Sequence, residues 1–267
     1  MEYLLPDAPK WTFFSGVVSF LWVGAGPLFW VILTVGALGV SFIFGEMARA
    51  YMAGGLQLMV VVIWLIFFGI VIVLTGPFAA SCFLAVIHET ANGVMDIVDW
   101  PEETIGERLV SMWHVAYQVL LSASIAFAAG QVAAIWMGPQ VIGKFTVVGA
   151  FLLFPFLMIS SLESQRTIWP FSAVVIGSLF RLWWGWLLMY AELAVLLAGW
   201  GAAVVFTYKS SPYLTVLWSS PILAAIALIA ARLFGRLIWL ATVQDYDGSE
   251  RPTVYERVVR TREEESS

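Results

Sequence analysis

Apolar residues fall into six long runs separated by short polar breaks, at about 17–45, 56–87, 111–137, 141–160, 181–208 and 213–243. A helix crosses the hydrocarbon core of a bilayer in about 20 residues, and every run reaches that length. The pattern predicts an all-α, polytopic membrane helical bundle over 1–243, with about six transmembrane helices and a tail over 244–267. Runs longer than the bilayer requires imply a tilt, a kink or a continuation along the interface. The means are present: Gly24-Ala25-Gly26-Pro27 interrupts the first run, Gly76-Pro77 bends the second, and Pro155 does the same in the fourth. Helices in lipid tolerate such breaks when neighbours satisfy the freed carbonyls.

Aromatic clusters, Trp11-Thr12-Phe13-Phe14 and Trp169-Pro170-Phe171, precede the first and fifth runs. Aromatic rings concentrate at headgroup level, so both read as interfacial collars. The surrounding stretches, WTFFSGVV at 11–18 and WPFSAVV at 169–175, are alike. A parallel duplication accounts for this, and so does chance in short matches.

Composition places the chain in lipid. Of 267 residues, 61% are apolar and 12% charged, against roughly 25% charged in soluble domains, and the mean hydropathy is +0.90. The net charge of −5 comes mostly from acids in two short segments. No basic stripe with interleaved aromatics is present, which argues against nucleic-acid binding. One cysteine, Cys82, excludes an intramolecular disulfide framework and a cysteine-based zinc site. The N-terminal stretch lacks a basic region ahead of the first run, so the first spanning helix, not a cleaved signal peptide, is expected to direct insertion.

Six spans put both ends on one side. That side then carries ten of the 13 basic residues, and the other only Arg49, Lys144 and Lys209. The positive-inside rule makes the richer side cytoplasmic, in a cell membrane of inner-membrane type. Little remains outside: 46–55, 138–144 and 209–212 are short connectors. Material able to meet partners lies inside, at 88–110, 161–180 and the tail. Segment 88–110 holds Glu89, Asp96, Asp99, Glu102, Glu103 and Glu107 against Arg108 alone. Anionic headgroups repel such a loop. Asn92-Gly93 and Trp100-Pro101 mark turns in it. The tail mixes charges without a core-forming pattern and reads as disordered.

Ionisable side chains inside spans are costly and mark candidate sites. Glu192 lies deep in the fifth run and Arg232 at matching depth in the sixth, eleven positions or roughly 16 Å from the cytoplasmic ends. They are the expected pair, with Arg236 the competing partner and Tyr190 or Gln118 available for leftover valences. The pair is either a structural clamp or a coupling site. Gln118 and Gln131 read as polar glue between helices. Small residues recur every fourth position at Ser122, Ala126, Gly130 and Ala134, and at Ala227, Ala231 and Gly235; such stripes let helices pack closely. His88, Glu89 and His114 are weak metal candidates, because Asn92 stands where a zincin helix needs its second histidine. No phosphate loop, dinucleotide fingerprint or serine elbow occurs. No catalytic residue, resident metal or cofactor is expected.

The stretch Gly76 to Pro101, GPFAASCFLAVIHETANGVMDIVDWP, and Leu162-Glu163-Ser164 with Arg181-Leu182-Trp183-Trp184-Gly185-Trp186, resemble a group of uncharacterised bacterial multi-pass membrane proteins with no assigned activity. The resemblance covers about half the chain and implies a bacterial membrane protein; it carries over no site residues. Relatives in that group carry a further soluble module ahead of the membrane part. The resulting expectation is a non-enzymatic membrane scaffold or complex subunit that docks a cytoplasmic protein through 88–110 and the tail, with oligomerisation open. The alternatives are a small transporter or channel using Glu192, Arg232, Gln118 and Gln131, and an intramembrane enzyme.

Overall fold

A computed structural model describes residues 13, 16–52, 58–94, 104–208 and 211–245. Among them there are seven α-helices and no strands: α1 Gly26–Met52, α2 Leu58–Ala91, α3 Ile105–Met137, α4 Ile142–Ser164, α5 Ala173–Arg181, α6 Trp183–Tyr208 and α7 Pro212–Asp245. Six are long and apolar enough to span a membrane, over Gly26–Met47, Val62–Ala91, Ile105–Met137, Pro139–Ser164, Trp183–Tyr208 and Pro212–Ala241. The protein is an all-α bundle of multi-pass membrane type. The middle of the acidic segment (95–103) and nearly all of the tail (246–267) lie outside the described residues, as do Trp11, Thr12 and Phe14.

The last helix is the hub. Helices α1, α2 and α6 pack directly on α7, while the α3–α4 hairpin joins the bundle chiefly through α2. Leu228, Ala231, Leu233, Phe234 and Leu237 of α7 are buried with Cys82, Val86 and Ile87 of α2. Close approach of the two helices depends on Gly235, where a Cβ would stand 2.6 Å from both the Ile87 carbonyl oxygen and the Thr90 Cβ. Lipid removes the hydrophobic incentive between helices, leaving close packing to hold them.

Within the hairpin, Thr104 caps α3: its Oγ1 accepts from the Glu107 amide while its own amide donates to Glu107 Oε2 at 2.7 Å. Such reciprocal capping satisfies two otherwise orphaned donors. The two small-residue stripes do not meet each other. Ser122, Ala126 and Gly130 are buried; a Cβ at Gly130 would lie 3.1 Å from the Ile142 carbonyl oxygen, and one at Gly149 would lie 2.7 Å from Ala126 Cβ. That stripe seats α4, and the stripe ending at Gly235 seats α2.

The first span departs from its expected limits. The apolar run begins at Val17, yet α1 begins only at Gly26; a turn at 16–18 and a 3-10 helix, Ser19–Trp22, come before it. Gly24, at φ +57°, takes a left-handed conformation that side chains disfavour, and Pro27 is tolerated in a first helical turn. The break expected at 24–27 therefore separates the 3-10 helix from the start of α1. Phe13, Val17, Phe20 and Leu21 are buried in the core. Phe13 meets Trp184 edge-on at 6.1 Å. This part of the first aromatic cluster consequently faces the bundle, not the headgroups. By contrast Trp169 and Phe171, 68% and 44% exposed, fit a collar, and the amphipathic helix α5 follows them before α6 starts.

Pro77, Pro155 and Pro221 sit inside continuous helices. The Pro221 carbonyl oxygen accepts from Trp30 Nε1 at 2.9 Å, one instance of a neighbour serving a proline-containing turn.

Candidate functional site

The buried charges gather where the segment before α1 meets α7. Arg232 and Arg236 are one helical turn apart and are 1% and 3% exposed. Their Nη2 atoms lie 4.0 and 3.4 Å from the point where a Cβ would stand at Gly16. Gly16 is held at φ +71°, so the position favours glycine for backbone reasons and for the space that Arg236 takes. The Arg232 guanidinium carbon is 4.6 Å from the centroid of the Phe20 ring. Non-helical backbone at membrane depth persists only where protein covers it, and its carbonyl oxygens need donors. Two guanidinium groups next to this stretch are suited to that need.

Glu192 is half-buried on α6. Arg236, the competing partner, lies within electrostatic reach of it. Arg232, the partner that depth matching favours, carries its guanidinium over the Phe20 ring. One carboxylate oxygen of Glu192, Oε1, is buried without a hydrogen-bond donor.

Tyr190 and Gln118 do not complete this pair. The Tyr190 hydroxyl donates to the Leu152 carbonyl oxygen at 2.6 Å, tying α6 to α4, and its ring stacks on Trp186 at 6.0 Å. Gln118 is fully buried, and its Nε2 donates to the Thr167 carbonyl oxygen at 3.1 Å, while its Oε1 is buried with no donor. Gln131 is exposed, a turn and a half from the end of α3, and is not brought together with Gln118 or Glu192. Position along the run gave its depth but not the face of the helix it occupies.

A second polar cluster, which the sequence did not reveal, fixes the α4–α5 connection. Thr167 Oγ1 lies 3.1 Å from His114 Nδ1, and Ser161 Oγ lies 3.1 Å from His114 Nε2. Because Ser161 donates to the Met158 carbonyl oxygen at 2.9 Å, its oxygen accepts from Nε2–H, which leaves Nδ1 to accept from Thr167. The Ser172 amide donates to Ser160 Oγ at 2.6 Å, and the Ser172 hydroxyl donates to Glu163 Oε2 at 2.8 Å. Tyr117 donates to the Ile168 carbonyl oxygen at 3.1 Å. Ser160-Ser161 was a visible signal, but His114, the partner of Ser161, stands 47 residues away in the chain.

His114 is within electrostatic reach of His88. Among the described residues, no three His, Cys, Asp or Glu side chains gather as a metal site would require; His88, Glu89 and His114 do not close into one.

In the other half of the bundle several described hydroxyls bond locally. Thr207 and Ser220 donate to carbonyl oxygens one turn back in their own helices, at 2.9 and 2.7 Å. Thr215 Oγ1 has Thr207 Oγ1 at 3.1 Å and the Ser211 carbonyl oxygen at 2.8 Å. Set against family models, curated proteins and solved structures, the chain matches none.

Proposed function

We propose that this protein is a non-enzymatic membrane anchor or complex subunit in a bacterial inner membrane. Its chain ends and the acidic segment 88–110 face the cytoplasm, where they dock a protein partner. The observation that carries the reading is the placement of buried polar groups. Arg232, Arg236, Glu192, Gln118, His114 and Ser161 share the half of the bundle that holds the start of the described chain and the end of α7. In the opposite half the hydroxyls of Thr207, Thr215 and Ser220 are turned onto nearby carbonyl oxygens or each other. A conduction path needs polar groups through its whole depth, whereas ties between helices need them only where helices are irregular.

Transport through Glu192, Arg236 and Gln118 is the second reading. It is favoured by the two buried acceptors without donors, Glu192 Oε1 and Gln118 Oε1, since such acceptors commonly take a proton or a water.

Two measurements separate the readings. A reporter fused after Ser267 is expected to be active only in the cytoplasm. Purified protein in liposomes is expected to pass no protons or ions above empty vesicles, while a chain lacking 246–267 keeps its folded yield but loses its partner in cross-linked membranes. Flux abolished by Glu192→Gln would replace the anchor reading with the transport reading.

A further inference from the structure

Between α1, α6 and α7 lies a cleft of about 340 Å³, open on one side, with Trp30, Leu196, Gly199, Trp200, Ala203 and Trp218 among its walls. This is more than twice the ~150 Å³ apolar cavity that holds one benzene ring, and it falls in the range of ligand sites. Its walls offer no hydrogen bond from two of the three indoles: Trp30 Nε1 is committed to the Pro221 carbonyl oxygen at 2.9 Å and Trp200 Nε1 to the Ser219 carbonyl oxygen at 3.1 Å. The rest of the lining, Leu196, Ala203, Ile222, Ala225 and Ile226 among it, is apolar, which suits a hydrocarbon occupant.

Depth identifies the source. Trp200 is eight residues from the end of α6 and Trp218 six from the start of α7, roughly 12 and 9 Å inside the bilayer by helical rise. That is the level of lipid tails in the leaflet opposite the chain ends. The cleft also continues onto an open helix face: Val195 and Phe206, on the same side of α6 as Gly199, are 72% and 83% exposed. A Cβ placed at Gly199 would meet no atom within 4 Å, so the glycine leaves space that the protein itself does not fill.

We propose that this cleft is a binding site for one hydrocarbon tail of a bilayer phospholipid, entering sideways from the leaflet opposite the chain ends. Rigid indole walls held by their own hydrogen bonds would hold the tail longer than the surrounding lipid is held.

The test uses the full chain reconstituted with a phosphatidylethanolamine that carries a photoactivatable group in its tail, followed by peptide mapping. Label is expected to concentrate several-fold on 196–203 and 218–229 relative to Val132–Ile135 of α3, a face equally open to lipid. Gly199→Leu, whose added side chain fills the cleft, is expected to remove that excess and leave α3 unchanged. Equal labelling of both regions in the wild-type chain overturns the proposal without need of the variant. So does an unlabelled cleft in a chain that runs as a dimer, which would assign the cleft to a second copy.

Discussion

The guanidinium of Arg232 is stacked 4.6 Å above the ring of Phe20, so a cation buried in the sixth span is covered by an aromatic face from the segment ahead of the first helix. A cation over a desolvated ring gains about 2 kcal/mol, and truncation of a buried phenylalanine to alanine costs about 3–5 kcal/mol through lost packing. Phe20→Tyr keeps the ring, and Phe20→Leu keeps most of the volume. Unfolding in detergent micelles is expected to rank them wild type and Tyr together, Leu lower by about 1–2 kcal/mol, and Ala lowest. A Leu variant as stable as wild type would remove the cation from the account.

Two glycines of the spans predict opposite responses to a methyl group. At Gly235 a Cβ falls 2.6 Å from backbone and side-chain atoms of α2, whereas at Gly201 it meets nothing within 4 Å. Gly235→Ala must push α2 and α7 apart, at about 1–3 kcal/mol. Gly201→Ala is expected to leave stability unchanged or raise it by up to ~1 kcal/mol through helix propensity. Thermal unfolding of the two variants side by side decides the matter.

The count of the spans was legible because bilayer thickness sets a minimum length for an apolar run, whatever packs against it. Direction around a helix axis was not legible. Gln131 and Gln118 are thirteen residues apart on α3; one is exposed and the other fully buried. A helix apolar on all sides gives no periodicity from which to tell them apart. Arg232 shows the same limit: its depth was readable, but the Phe20 ring beneath its guanidinium was not. The break at Gly24-Ala25-Gly26-Pro27 was readable from residue chemistry, yet that the preceding stretch folds inward over two arginines depends on tertiary contacts. The His114 cluster was invisible for a related reason, since Ser161 and Thr167 reach it from other elements.

His114 joins α3 to both α4 and the 165–172 connection. His114→Ala removes two hydrogen bonds of about 0.5–1.5 kcal/mol each, and His114→Asn keeps part of the bonding capacity. Amide exchange across 165–172 is expected to quicken in the Ala variant and to a smaller degree in the Asn variant, with exchange in α7 unaltered. Exchange that rises uniformly along the chain would mean that the cluster holds the whole bundle and not that connection.

The remaining prediction separates the two arginines. Arg236 lies within electrostatic reach of Glu192 and the Arg232 guanidinium lies over Phe20, so Glu192→Gln combined with Arg236→Met should be less damaging than the sum of the single changes. Interactions between polar groups in membrane bundles measured by such cycles run from about 0.6 to 1.7 kcal/mol, and a coupling in that range is expected here, toward the lower end because Glu192 is only half-buried. The cycle with Arg232→Met should give none beyond the ~0.3–0.5 kcal/mol within which independent sites add. Each arginine change also disturbs the contact with Gly16, but that cost is present in both the single and the double variant and cancels. A larger coupling to Arg232 than to Arg236 would reverse the assignment and restore the pairing that depth alone suggests.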